Sequence, residues 1–349
     1  MGGDKMNSFK FVGTILTPKS REDVIKTMNS GKKQLRLMIR QNENNSAYVN
    51  MYGDNLVNGK IPVFLKEEKG RRVVDFENRF DEERLKKISY ASKYVVGVDN
   101  QEIEFIWKDD FMDYVFEMIT TLPRNTIYEI TGEYTVSYVN GRTYNNFNIK
   151  TIKVNNSARP EFTLSLELYY NCKSLDEKDK RNKFILNSYI KQYSYSAKQK
   201  KYFPLKVEFI TNRFDFKNPA DIEIIKHRKA NMQPSQEEGY VRAIWEAQYV
   251  RGAQLILPPL ETLPKDIQFE IKNAGREIQE YMQNVVGEAG EFICLTRPDN
   301  TLNKDGKVYT SLGCTDNEFK NEIDEEFRNQ ELESMDSIAK QDAIANPFN

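Results

Sequence analysis

Alternating apolar and polar residues predict three β-strands near the start of the chain, at residues 9–16, 33–40 and 47–53. The second strand, KQLRLMIR, and the third, AYVNMYG, each place every other apolar residue on one side. The inward positions of these two strands are Leu35, Leu37, Ile39, Ala47, Val49 and Met51. The opposite positions are polar or aromatic, so we expect one buried face and one exposed face.

The next elements predicted are a helix and a long hairpin. Apolar residues at helical spacing in DDFMDYVFEMITTLP, residues 109–123, predict an amphipathic helix that ends at a proline. The dipeptide Asn140-Gly141 then predicts a type I′ turn between two strands. The polar face of this hairpin carries Arg142, Tyr144 and Lys150. Residues 54–108 are less regular and are interpreted as an elaborated connection, with a short helix at 81–88 and a strand at 94–98.

The resulting order is three strands, a helix and two strands, which is the order of the OB-fold, a partly open Greek-key barrel. Residues 9–154 resemble the single-stranded-DNA-binding proteins built on OB-folds, especially those of bacteriophages. The segments that carry the resemblance are FKFVGTIL, KQLRLMIR, AYVNMYG and the hairpin ITGEYTVSYVNGRTYNNFNIKTIKV. The resemblance implies that the outer barrel face and the hairpin bind the nucleic acid by stacking and phosphate contacts.

Arginine and tyrosine alternate on these outer surfaces, an arrangement that stacks on flat rings and neutralises phosphate. Cross-strand tyrosine–arginine pairs also stabilise ordinary sheets, and this alternative stays open. The candidate nucleic-acid-binding residues of the first domain are Arg36, Arg40, Tyr48, Tyr52, Tyr138, Arg142, Tyr144 and Lys150.

A second β-rich domain, possibly also OB-like, is predicted after the linker at residues 155–161. Its expected strands lie near 162–170, 184–193, 203–210 and 240–249, and a helix is expected at about 265–286. Residues 187–203 form the densest aromatic and basic stretch, interpreted either as a loop that closes over nucleic acid or as a solvated basic loop. The candidate residues here are Tyr193, Tyr195, Lys198, Lys200, Lys201 and Tyr202.

Charge is distributed unevenly along the 349 residues, although the net charge is only −1. Residues 315–349 contain ten acidic and three basic residues, a net −7, which leaves +6 for residues 1–314. We therefore predict domains at 1–158 and 159–314, both mainly β with some α, followed by a disordered acidic tail at 315–349. Pro347 and Phe348 resemble the acidic C-terminal tips of bacterial single-stranded-DNA-binding proteins, which recruit replication and repair enzymes. A frayed terminus is the alternative.

The composition offers little for catalysis. The three cysteines, Cys172, Cys294 and Cys314, form no CxxC pair and suggest a reducing, cytoplasmic setting, and His227 is the only histidine. Phosphate-binding and hydrolase motifs are absent from the sequence, and no apolar run is long enough to span a membrane. No cofactor or metal is expected. The best candidates for a metal-dependent nuclease are Asp221 and Glu223, without diagnostic spacing.

The sequence thus predicts a non-enzymatic single-stranded-DNA-binding protein of replication or recombination, with RNA as a further candidate ligand. Replication or recombination proteins are the expected partners of the tail. A phage virion or assembly protein and a metal-dependent nuclease are the alternatives.

Overall fold

The structure is a computed structural model in which the chain divides into two compact units. The first comprises Met1–Thr135 and Asn146–Thr163, and the second Val136–Asn145 and Leu164–Asn349. The residues that the structure describes are 7–42, 45–99, 101–139, 142–176, 183–194, 197–211, 214, 217–253, 268, 289–299 and 306–323.

Ten strands and two helices belong mainly to the first unit. The strands are β1 (Ser8–Ile15), β2 (Ile25–Thr27), β3 (Lys33–Asn42), β4 (Asn45–Tyr52), β5 (Lys60–Phe64), β6 (Arg71–Asp75), β7 (Tyr94–Val98), β8 (Gln101–Phe105), β9 (Tyr128–Val139) and β10 (Arg142–Val154). The helices are α1 (Glu82–Lys87) and α2 (Lys108–Thr121). The tip of the β9–β10 hairpin, residues 136–145, is grouped with the second unit.

Five of these strands close into a barrel. β1 pairs antiparallel with β3, β3 antiparallel with β4, and β4 parallel with β10. β10 pairs with β9, and β9 returns antiparallel to β1, with Phe11 opposite Ile130. Helix α2 lies between the third and fourth barrel strands in chain order. This connectivity is that of the OB-fold, and the predicted fold is confirmed.

The interior of the first barrel is aromatic at its centre. Phe9 and Phe147 meet edge to face with ring centres 5.3 Å apart, and Phe147 lies 4.9 Å from Phe162. The inward residues predicted for β3 and β4 are buried, four of them completely. On β9, Gly132 allows the close approach of β10, because a Cβ atom there would lie 1.9 Å from the carbonyl oxygen of Asn148.

The connection between the third barrel strand and α2 has a core of its own. The β5–β6 hairpin buries Ile61, Val63 and Val74 against Ile88 and Trp107. The short helix and the strand predicted within residues 81–98 are present as α1 and β7. The segment is therefore a packed insertion in the barrel.

Within its described residues, the second unit contains seven strands and two helices. The strands are β11 (Glu161–Tyr170), β12 (Leu175–Asp176), β13 (Lys183–Ser194), β14 (Gln199–Ile210), β15 (Val241–Ala253), β16 (Ala289–Pro298) and β17 (Tyr309–Ser311), and the helices are α3 (Pro219–Met232) and α4 (Asp316–Asn321).

Strand connectivity in the second unit repeats that of the first. β11 pairs antiparallel with β13, β13 antiparallel with β14, and β14 parallel with β16. β16 pairs antiparallel with β15, which neighbours β11, and α3 lies between the third and fourth strands in chain order. The possible OB-like character predicted for this region is therefore confirmed in its connectivity.

Three details differ from the sequence-based expectations or fall outside the described residues. Residues 187–203 belong to the regular β13–β14 hairpin, so the interpretation as a closing loop is corrected. The segment expected to be disordered begins with the ordered helix α4. The helix expected at 265–286 and residues 324–349 lie outside the described residues.

Among the described helices, none is long and apolar enough to cross a membrane.

Candidate nucleic-acid interface

The outer surface of β3 and β4 is the first candidate site. OB-folds bind oligonucleotides on the face of their second and third strands and on the adjoining loops. In the first barrel these strands are β3 and β4. Their outward positions pair across the strands as Gln34 with Tyr52, Arg36 with Asn50, Met38 with Tyr48 and Arg40 with Ser46. We call these eight residues the first outer face.

A stacked cation and ring lie at the centre of the first outer face. The guanidinium carbon of Arg36 lies 3.9 Å from the centre of the Tyr48 ring, and Arg36 is exposed to solvent. The negative face of the ring attracts the cation and holds its planar group over the ring. A flat guanidinium supported in this way can stack with a base while its N–H groups donate to phosphate oxygens.

Tyr52 and Arg40 extend the surface at its two ends. Tyr52 is 43% exposed, and its hydroxyl oxygen accepts a hydrogen bond of 3.2 Å from the side-chain amide of Gln34. Arg40 is exposed four positions beyond Arg36 on the same side of β3, which is about 13 Å along an extended strand. The four candidates on β3 and β4 therefore share one face.

The β9–β10 hairpin contributes the other candidates of the first barrel. Tyr144 is 47% exposed. Tyr138 and Arg142 lie within the two strands, but their side chains are outside the described part of the structure, as is the predicted Asn140-Gly141 turn.

Lys150 is engaged within the protein. Its ammonium group donates a 2.6 Å hydrogen bond to the carbonyl oxygen of Ala91 and lies 4.4 Å from the centre of the Tyr94 ring. These contacts restrain a cation that the sequence assigns to the binding surface. Burial raises the pKa of the Tyr94 hydroxyl, so the ring beneath the ammonium group stays neutral.

In the second barrel, the candidates lie on the end of the β13–β14 hairpin. Tyr193 is 50% exposed and pairs across the strands with Lys200, which is also exposed. Lys198 is exposed in the turn, with a φ of 53°. Lys201 donates a 3.4 Å hydrogen bond to the carbonyl oxygen of Asn321. Tyr195 lies outside the described residues.

Tyr202 is a core residue in this structure. It is only 5% exposed, and its ring lies 4.8 Å from that of Tyr169 and 4.3 Å from that of Phe319. Its hydroxyl oxygen accepts a 3.3 Å hydrogen bond from the ammonium group of Lys191, and burial raises its pKa. The placement of Tyr202 on an open stacking surface is therefore corrected, because Phe319 covers the ring.

Sequence reasoning missed the aromatic cluster around Tyr202. Tyr169, Tyr202, Tyr240, Phe319 and Ile323 form one buried group, with Tyr189 packed against it. The aromatic content of LELYY and GYVRAIW was visible in the sequence. The contact with Phe319 was not, because α4 lies in a segment that composition assigned to the tail.

The residues considered for a metal-dependent nuclease do not form a metal site in the described part of the chain. Glu223 on α3 forms a 3.1 Å ion pair with Lys226. Within the described part of the chain, no group of three or more histidine, cysteine, aspartate or glutamate side chains is placed to hold a metal ion. Cys172, Cys294 and Cys314 form no disulfide with one another.

The strand pairings define the class of this chain, a protein with two barrels of OB-fold connectivity. No protein-family model and no curated protein sequence matches it. Among solved structures it is similar to the wild-type single-stranded DNA binding protein from Thermus aquaticus, with a TM-score of 0.31 and 8% identity, over 70% of this chain and 85% of that one. It is also similar to a deletion mutant of that protein, with a TM-score of 0.30 and 9% identity, over 74% of this chain and 97% of that one.

Proposed function

We propose that this protein binds single-stranded DNA without catalysis and with little sequence preference, in replication or recombination. The observation that carries the proposal is the Arg36–Tyr48 stack on the solvent-facing side of β3 and β4. An OB barrel uses this face for oligonucleotides, and the stack supplies both a flat cation and an aromatic ring there.

Binding at this face combines two physical contributions. Base–aromatic stacking contributes about 1–3 kcal/mol per base and is tolerant of sequence, because every base has a π-face. Arg36 and Arg40 contribute attraction to the phosphates that weakens as salt rises, because bound counterions are released. Tyr144 of the hairpin and the Tyr193–Lys200 pair of the second barrel supply further rings and charge of the same kind.

We further propose that the acidic C-terminal residues, which include Pro347 and Phe348, recruit replication or recombination proteins. The support is the opposite charge of the two parts of the chain, −7 for residues 315–349 against +6 for the remainder. Chains with and without residues 347–349, each immobilised on single-stranded DNA, can be compared for retention of purified replication and recombination proteins. Equal retention by both chains would contradict this role.

The test of DNA binding is fluorescence anisotropy with a labelled single strand of about 30 nucleotides, which is long enough for two OB domains. Unlabelled duplex DNA and single-stranded RNA serve as competitors at low and moderate salt. We expect the single strand to be preferred over the duplex and log Kd to vary linearly with log salt. No binding at low salt would contradict the proposal. Light scattering would then test self-assembly as expected for a virion or assembly protein.

A further inference from the structure

Phe319 occupies the outer surface of the second barrel. Its ring is 1% exposed and lies parallel to the ring of Tyr240, with a centre distance of 3.8 Å and an angle of 7°. Tyr202 lies 4.3 Å away, and Tyr189 meets the same ring edge to face at 5.1 Å. One phenylalanine is thus stacked among three tyrosines.

Polar contacts hold the residues on both sides of Phe319. Before it, a carboxylate oxygen of Asp316 accepts a 3.0 Å hydrogen bond from the side-chain amide of Asn171, and Lys173 lies 3.4 Å from the other oxygen. After it, Glu322 lies 3.8 Å from the ammonium group of Lys191. A ring is therefore flanked by carboxylates, each next to a lysine.

The backbone joins this segment to the edge of β14. The amide of Tyr202 donates a 3.2 Å hydrogen bond to the carbonyl oxygen of Glu322, and Tyr202 forms a parallel bridge with Ile323. We call Thr315–Ile323 the plug segment.

The covered surface corresponds to the oligonucleotide-binding face of an OB barrel. β13 and β14 are the second and third strands of the second barrel, as β3 and β4 are of the first. Successive outward positions of β13 are Tyr189, Lys191 and Tyr193, and those of β14 opposite the last two are Tyr202 and Lys200. Tyrosine and lysine thus lie side by side here, as Arg36 and Tyr48 do on the first outer face.

We propose that this surface is a second binding platform for single-stranded DNA, and that the plug segment closes it by imitating the ligand. The Phe319 ring takes the place of a stacked base, since its parallel contact with Tyr240 has the geometry of a base on an aromatic side chain. Asp316 and Glu322 take the place of phosphates beside Lys173 and Lys191. The inference rests on the proposed function and adds that the length of DNA bound depends on Phe319.

The plug segment can leave the platform without disrupting the barrel ladder. Among the described residues, its backbone is attached to β14 by one bridge at Tyr202. The ion pairs of Asp316 and Glu322 are partly exposed, so they stabilise the closed state only weakly. Burial of Phe319 is therefore the main contribution to closure. A long DNA strand that already occupies the first outer face competes for this surface at a high effective concentration.

The first experiment measures how affinity depends on the length of the DNA strand. Oligothymidylates of graded length are titrated against the full chain and the Phe319→Ala variant. We expect the length at which affinity stops increasing to be longer for the variant by about 4–16 nucleotides, the site size of one OB-fold. Phe80→Ala is the control, because Phe80 is 56% exposed and lies in the packed insertion of the first unit, and it should leave this length unchanged.

A second experiment uses the wild-type chain, so it tests the role of the plug segment even if the Phe319→Ala variant does not fold. Hydrogen exchange of the wild-type chain is measured alone, with a 10-nucleotide strand and with a strand of about 60 nucleotides, enough for more than two OB domains. We expect the long strand alone to speed exchange in residues 316–323 and to slow it in β13 and β14. The amide of Tyr202 donates a hydrogen bond to the carbonyl oxygen of Glu322 in the closed state. Its exchange rate should therefore report whether DNA has replaced the plug segment.

The outcomes separate the two proposals. Failure of the wild-type chain to bind any strand would overturn the proposed function. Binding by the wild-type chain with unchanged exchange in residues 316–323, together with an unchanged length dependence in a folded Phe319→Ala variant, would overturn the plug alone.

Discussion

In the proposed complex with DNA, individual side chains on the first outer face make separable contributions to binding. Tyr48 supplies a ring and Arg36 a permanent positive charge, and the two are stacked at 3.9 Å. Loss of the ring removes stacking, which is short-ranged and depends little on salt. Loss of the charge removes a phosphate contact, which salt screens.

Replacing Tyr48 by alanine should weaken single-strand binding by about 1–3 kcal/mol at every salt concentration, because a stacking surface is lost. Anisotropy titrations at two salt concentrations measure the effect. Tyr90→Ala is the control, since Tyr90 is 48% exposed and lies outside the first outer face and the second platform. Equal losses in the two variants would show that Tyr48 has no special role.

Replacing Arg36 by alanine should both weaken binding and flatten the plot of log K against log salt by about 0.7, the value for one lost phosphate contact on a single strand. Arg124→Ala, which removes an exposed arginine from the loop after α2, controls for the general loss of charge. An unchanged slope for Arg36→Ala would mean that this guanidinium serves only to pack on Tyr48.

At the scale of elements, the strands of the β9–β10 hairpin approach each other very closely at one point. β9 carries Gly132 where the carbonyl oxygen of Asn148 on β10 leaves no space for a side chain. The geometry of this contact therefore affects the position of the whole hairpin.

Gly132→Ala should therefore destabilise the fold by at least about 1–3 kcal/mol, because the added Cβ would overlap backbone atoms that cannot rotate away. Urea denaturation followed by circular dichroism measures the change. Gly97→Ala on β7 is the control, since the atoms nearest to the added Cβ there belong to the side chain of Lys153 and the closest is 2.9 Å away. Similar destabilisation by both substitutions would show that the close approach to Asn148 is not the cause.

The elements that sequence predicted well are those whose pattern is local. Alternation over a few residues was sufficient to find β3 and β4 and to assign their buried and exposed faces, because a strand has a two-residue period. The helix of the second barrel, α3, was missed because its described buried side chains are only Ile225, Asn231 and Met232, too few for an apolar stripe.

Contacts between residues distant in the sequence determine the part of the site that could not be predicted, which is the exposure of Tyr202 and Lys201. Tyr202 and Lys201 have similar sequence surroundings, yet Tyr202 is buried by Phe319 and Lys201 bonds to the backbone at Asn321. Nothing near either residue in the sequence indicates α4. Their exposure depends on which distant segment packs on β14, a tertiary effect that composition does not contain.

At the scale of the whole molecule, the two barrels have the same strand connectivity, but their outer faces differ in what covers them. On the first, Arg36 is exposed over Tyr48, whereas on the second Tyr189, Tyr202 and Tyr240 pack against Phe319 of the plug segment. The acidic residues that follow the plug segment are a separate electrostatic contribution. Residues 324–349 contain seven acidic and two basic residues, a net −5.

Two truncated chains separate the effect of the acidic charge from the effect of Phe319 covering the second platform. Removing residues 324–349 raises the net charge of the chain from −1 to +4, so binding should tighten at low salt, and the gain should disappear at high salt as the charges are screened. Removing residues 315–349 also removes Phe319. The second platform then opens, and binding to a strand of about 60 nucleotides should stay tighter than wild type at high salt, because stacking is not screened.

Anisotropy with strands of about 15 and 60 nucleotides, at low and high salt, measures both effects; the shorter strand matches one OB domain and the longer exceeds two. On the shorter strand the two truncations should behave alike, because the first outer face is the same in both. A large loss of binding in either truncated chain would contradict a competing role for the C-terminal residues. Identical high-salt affinities of the two chains for the longer strand would mean that Phe319 covers no binding surface, and that the C-terminal residues act by charge alone.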